Sequence, residues 1–214
     1  MASLTTTQSK SRGSWLSLRR LWPMLVIVLP CVLLAFGGEA ARAGLQYDRV
    51  AILDGQIWRL FTGNWVHLGW GHLAEDMAGY VLLWLLFEQE LPGWRCPVLI
   101  TVGAIGVGLG LLLGDPELRW YVGISGALNT LWMAGAMLLM TKRDWLGWVL
   151  ALFLVLKLVY EQSLGPLPWS VATAGGPVVV DAHLWGALTG ATLVAGVLLG
   201  SRWKHRRDSA NPQV

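Results

Sequence analysis

Ser125 stands in Gly123-Ile124-Ser125-Gly126, just after the polar loop Asp115–Tyr121 and at the start of an apolar run. A serine there opens a helix, where free N–H groups and the dipole favour negative charge. The flanking Gly123 and Gly126 leave room for a backbone or a substrate to approach. A serine becomes a nucleophile only beside a base, and histidine is the usual one. His183 stands near the start of a second apolar run, Ala182-His183-Leu184-Trp185-Gly186-Ala187-Leu188-Thr189-Gly190. Ala182, Gly186 and Gly190 recur every four residues, and such a small-residue face lets two helix backbones come close. If that face packs on the run that begins at Ser125, His183 reaches the serine hydroxyl.

Other ionisable groups lie in apolar runs: His72, Glu75, Asp76 and Lys157, with Asp181 at a helix start. Each is costly in lipid and therefore a candidate for function. Each also has a structural reading. Lys157 lies near the end of its run and can snorkel to the interface. Glu75 and Asp76 can face water at the outer interface, and His72 can bridge two helices. Asp181 reads as a helix N-cap, a position that Asp favours. The small residues around Ser125 also serve helix packing. Cys31 and Cys96 lie in separate apolar runs without metal spacing, so neither a disulfide nor a metal or other cofactor is expected.

The elements that carry these residues follow from composition. The 214-residue chain is 55% apolar and 14% charged, against about 25% charged in soluble domains. That excludes a soluble globular domain and a disordered chain. Fourteen Trp and 26 Gly fit a multi-span membrane protein. The basic residues do not form a patch on polar surface, so a nucleic-acid partner is excluded. Lys10, Arg12, Arg19 and Arg20 precede the first apolar run, and Arg202, Lys204, Arg206 and Arg207 follow the last.

A membrane helix needs about 20 mostly apolar residues. The runs predict spans at 21–38, 70–88, 96–113, 123–140, 145–160 and 181–200. The first is long for a signal peptide and reads as a retained helix. Loops are expected at 39–70 and 161–180. With six spans, both termini, Arg95, Lys142 and Arg143 fall on one side, and the opposite loops are less basic. The positive-inside rule then sets both termini in the cytoplasm. The expected fold is an all-α, six-span bundle of residues 21–200, between cytoplasmic tails at 1–20 and 201–214. No repeat relates its halves.

Over residues 45–195 the chain resembles the rhomboid intramembrane serine proteases. Gln56-Ile57-Trp58-Arg59 resembles the Trp-Arg pair of that family's long first loop. His67 and His72, followed by Asp76, resemble its second-helix pattern. Gly123–Gly126 matches its nucleophile motif, and Ala182–Gly190 its base-bearing sixth helix. The resemblance implies a Ser125–His183 dyad with no third acidic member. It also implies an oxyanion held by the Ser125 N–H, His72 and the residue at 76, with His67 at the edge of the site. The family usually has Asn where this chain has Asp76. An ionised Asp accepts and does not donate, so two readings stand: a protonated donor, or, preferred here, a carboxylate turned away to orient His72 one turn before it.

The short form and the segment Thr62–Leu73 resemble the rhombosortase subgroup. That implies a site on the periplasmic face of a bacterial inner membrane. It also implies transmembrane substrates with a C-terminal Gly-Gly motif, an apolar anchor helix and a basic end, held in the lipid bilayer beside the protease. The alternative within the family is a general rhomboid protease of other single-span substrates, and two other functions compete. A non-catalytic client-binding relative would have lost Ser125 or His183, and both are present. A proton-coupled transporter would show repeated halves or paired broken helices, and neither is seen.

Overall fold

The computed structural model describes residues 18–210. The expected tail at 1–20 lies mostly outside the described residues, as do residues 211–214. In chain order the helices are α1 (Leu18–Phe36), α2 (Gly38–Leu45), α3 (Arg49–Leu53), α4 (Arg59–Thr62), α5 (Trp70–Phe87), α6 (Arg95–Gly114), α7 (Ser125–Thr141), α8 (Trp145–Leu164), α9 (Pro168–Ala174) and α10 (Val180–Ala210). Two-residue strands, β1 (Tyr47–Asp48) and β2 (Trp120–Tyr121), pair antiparallel with Tyr47 opposite Tyr121.

The molecule is a helical membrane bundle. By length and composition, α6, α8 and the Val180–Trp203 part of α10 can each cross a membrane. α1 and α2 meet the same measure only as a pair bent by 115°. α7 has 17 residues, and α5 carries Glu75 and Asp76. α10 continues as helix to Ala210, through most of the expected C-terminal tail.

The two expected loops carry structure of their own. Residues 39–70 hold α2, α3, α4 and a 3-10 turn at Gly63–Trp65. Arg49 ties this segment to the end of α6, donating to the carbonyls of Leu112 and Asp115 at 3.0 and 3.1 Å. The Leu112 carbonyl is one of the four that a helix end leaves without intrahelical partners. The expected loop 161–180 begins late, because α8 runs to Leu164, and it contains α9. Thr173 of α9 donates its hydroxyl to the Glu75 carboxylate of α5.

The centre is α7, which contacts α10 most extensively and also α8, α6 and α5. Lipid tails are as apolar as leucine, so close van der Waals packing and interhelical hydrogen bonds must hold such helices together. Small residues make this possible. A Cβ on Gly190 would stand 2.5 Å from the Thr130 carbonyl oxygen, and one on Gly126 would stand 2.8 Å from that of Ala182. A Cβ on Gly186 would overlap the Gly126 carbonyl. The Thr130 hydroxyl donates to the Gly186 carbonyl at 2.8 Å, joining the two helices directly. α7 and α10 thus meet backbone to backbone, along the stripe formed by Ala182, Gly186 and Gly190.

Candidate active site

Ser125 is the first residue of α7. Its placement begins with the segment before it. The Gly123 N–H donates to the Gly63 carbonyl at 3.2 Å. The Tyr121 hydroxyl lies 3.4 Å from Asn64 Oδ1 and also donates to the Gly123 carbonyl. Asn64 in turn donates to the Ala104 carbonyl of α6 at 3.2 Å. Gly123 has φ of +109°, and a Cβ there would stand 2.7 Å from His72 Nε2. Only glycine fits both conditions, so the turn brings the start of α7 hard against the His72 ring.

His183, in the first turn of α10, is buried beside Ala182. Its Nε2 lies 2.9 Å from Ser125 Oγ. The backbone contact of α7 and α10 sets that distance, because His183 is three residues before Gly186.

The other side of the ring holds a group that the spans drawn from sequence hid. Glu161 lies in α8, not in a loop, and its side chain is fully buried. Its Oε2 is 2.9 Å from His183 Nδ1. Lys157 does not snorkel to the interface. Its Nζ donates to the same Oε2 at 2.7 Å and lies 3.2 Å from His183 Nδ1. Asp181 stands in the first turn of α10 rather than at its N-cap, and it accepts from Gln162 Nε2 at 3.0 Å. The spacing of Lys157 and Glu161 was the available signal. Four residues apart, they share a helix face once the helix extends past 160.

A second cluster flanks the serine. Asp76 Oδ2 accepts from the Ile124 N–H at 3.1 Å, and lies 3.1 Å from His67 Nε2 and 3.4 Å from His72 Nε2. The His67 and His72 rings meet edge to face, with centroids 5.1 Å apart. The Leu68 N–H approaches His72 Nδ1 at 3.5 Å. A backbone donor at Nδ1 leaves the ring proton on Nε2, the nitrogen nearest Asp76 and Gly123.

Trp58 and Arg59 serve elsewhere. Trp58 is exposed. Arg59 is buried and gives its donors to Gln56 Oε1 at 2.8 Å and to the carbonyls of Ala43 and Gln46 at 3.0 and 2.9 Å. It closes the loop after α2 onto α4. His67 is drawn further in than an edge position, with a side chain that is 1% exposed.

The arrangement can do acyl-transfer chemistry: a hydroxyl beside a histidine, at a helix N-terminus, with imidazoles on the other flank. Comparison with known proteins gives the family. Residues 54–200 match the Rhomboid domain. The chain is similar to RHOMBOID-like protein 5 of Arabidopsis thaliana, 32% identical over 56% of this chain and 40% of that protein. It is also similar to the mitochondrial RHOMBOID-like protein 6 of the same plant, 30% identical over 78% of this chain and 52% of that protein. RHOMBOID-like protein 1 is 29% identical over 74% of this chain and 39% of its own length. The chain thus spans about half or less of the length of these relatives. With the domain match over most of the chain, it belongs to the rhomboid family.

Proposed function

We propose that the chain is an intramembrane serine endopeptidase with Ser125 as nucleophile and His183 as base. The observation that carries this reading is the 2.9 Å contact between Ser125 Oγ and His183 Nε2. In the reaction, Oγ attacks the scissile carbonyl while its proton passes to Nε2. The carbonyl electrons move onto oxygen. As they return, the peptide C–N bond breaks and the leaving amine takes the proton from Nε2. A water repeats the sequence on the acyl-enzyme.

The developing oxyanion lies at the N-terminus of α7, where the Ser125 N–H and the helix dipole favour it. His72 supplies a second donor through Nε2. Asp76 accepts from the Ile124 N–H at Oδ2 and places its carboxylate beside both imidazoles, 3.1 Å from His67 Nε2 and 3.4 Å from His72 Nε2. Gly123 lets the turn before α7 close on His72, Gly126 lets α10 close on α7, and His67 packs beside Asp76.

The chain spans the bilayer six times, through α1, α5, α6, α7, α8 and α10, with both termini in the cytoplasm. Ser125 opens α7, while Lys142 and Arg143 follow the end of that helix. The active site therefore lies toward the outer face, which for a bacterial inner membrane is the periplasmic one. The substrate class is the rhombosortase one: a secreted protein with a C-terminal Gly-Gly motif, an apolar helix and a basic end. A Gly-Gly pair breaks the anchor helix, exposes its backbone at the interface and presents no side chain to exclude.

The test is co-expression with such an anchored substrate. Wild type cleaves at the anchor, whereas Ser125→Ala and His183→Ala leave it intact. Replacing Gly-Gly by Leu-Leu in the substrate abolishes cleavage. Equal cleavage by Ser125→Ala refutes the protease reading, and equal cleavage of the Leu-Leu substrate refutes the substrate class alone.

A further inference from the structure

The geometry points to Glu161 as a third member of the catalytic arrangement, a positioning residue that fixes the tautomer of His183, with Lys157 holding its carboxylate in place. This rests on the assignment of Ser125 and His183 proposed above. His183 can act as a base toward Ser125 only if Nε2 lacks a proton, so the ring proton must sit on Nδ1. Glu161 Oε2, 2.9 Å from Nδ1, is an acceptor for it. Asp181, the acid closer in sequence, is bonded to Gln162 instead. A buried carboxylate with no cation beside it is costly. Lys157, donating to the same oxygen at 2.7 Å, offsets that cost and stops the carboxylate from turning away.

Lys157 also makes the arrangement testable. Its Nζ is 3.2 Å from Nδ1, so both groups that face this nitrogen from α8 are charged. Exchange of Glu161 for Gln keeps the shape and removes the charge. The amide oxygen takes the place of Oε2, where it accepts from both Lys157 and the Nδ1–H. The ammonium, 3.2 Å from Nδ1, then stands unopposed and repels the imidazolium that forms as His183 takes the Ser125 proton. Removal of the lysine lifts that repulsion.

The experiment measures the rate at which a fluorophosphonate labels the full chain in detergent, with thermal unfolding followed alongside. The order expected is wild type, then Glu161→Gln/Lys157→Met, then Glu161→Gln. Glu161→Gln labels at least about 10²-fold more slowly than wild type, up to the about 10⁴-fold seen when a triad acid becomes an amide. The double variant recovers about tenfold or more of that loss, and stays about tenfold or more below wild type because the carboxylate charge is gone. A merely structural glutamate predicts no such rescue by a second substitution. Glu161→Gln labelling at the wild-type rate overturns the inference, and so does a double variant no faster than a folded Glu161→Gln. If Glu161→Gln unfolds because it leaves Lys157 without a counter-ion, the double variant, which removes both charges, decides alone. Labelling at the wild-type rate then overturns the inference. Folded wild type that takes no label at all refutes the Ser125–His183 assignment instead.

Discussion

Gly186→Ala is a one-methyl perturbation whose effect on the active site can be worked from distances. The added Cβ would stand 2.8 Å from the Gly126 carbonyl carbon and nearer still to its oxygen. Carbon atoms settle at about 3.5–4.0 Å, so α10 must move away from α7 by about 1 Å. Both opposing atoms are backbone, and no side-chain rotation relieves the clash. His183 lies one turn from Gly186 and moves with it. Its 2.9 Å contact with Ser125 then approaches 4 Å, beyond hydrogen-bond range. A misplacement of that size costs about 10²-fold in rate, and overpacking costs about 1–3 kcal/mol of stability. The assay is cleavage of the anchored substrate, with thermal unfolding of the same samples. Gly196→Ala is the control, because it lies on the same helix with nothing within 4 Å of its added Cβ, and its rate stays at wild type. Gly186→Ala cleaving within threefold of wild type would refute the claim that this helix contact sets the catalytic distance.

Two further substitutions probe the carboxylates outside the Glu161 arrangement. Asp76→Asn keeps an oxygen for the Ile124 N–H but removes the charge beside His67 and His72. Loss of a charge-assisted contact of about 1.5 kcal/mol lowers cleavage about tenfold; an unchanged or raised rate would sink the claim that this charge helps. Asp115, at the end of α6, is pushed above the usual carboxylate range by burial and then by the neighbouring Asp181, with Arg49 opposing. A carboxyl raised in the folded state penalises folding at pH values above its folded value, and not below its unfolded value of about 3.9. Asp115→Asn therefore melts higher than wild type at pH 7, and the gain shrinks as the pH falls toward about 4. A gain that is the same at both pH values would contradict the assignment.

Much of this was legible in the sequence, for physical reasons that can be named. The apolar runs located the six long helices, because lipid demands uninterrupted apolar length. The four-residue spacing of Ala182, Gly186 and Gly190 encodes the approach of α10 to α7, since small residues alone permit it. Glu161 was hidden because hydropathy ended its span at 160, while backbone hydrogen bonding carries α8 to Leu164. Lys157 read as an interfacial cation because its partner was assigned to a loop. The roles of Arg49 and Arg59 depend on carbonyls far along the chain or across a loop, such as Leu112 and Ala43. Hydropathy and local spacing carry no trace of such pairings. α2, α3 and α4 are too short and mixed to rise above a loop signal.

The central claim is that Ser125 is a nucleophile activated by His183. The most direct measurement is fluorophosphonate labelling of the full chain in detergent, with the modified residue located by mass spectrometry. The adduct falls on Ser125 in wild type and is absent from Ser125→Ala. His183→Ala labels at least about 10²-fold more slowly while keeping its fold. An adduct on another residue, or equal labelling of Ser125→Ala, would contradict the account.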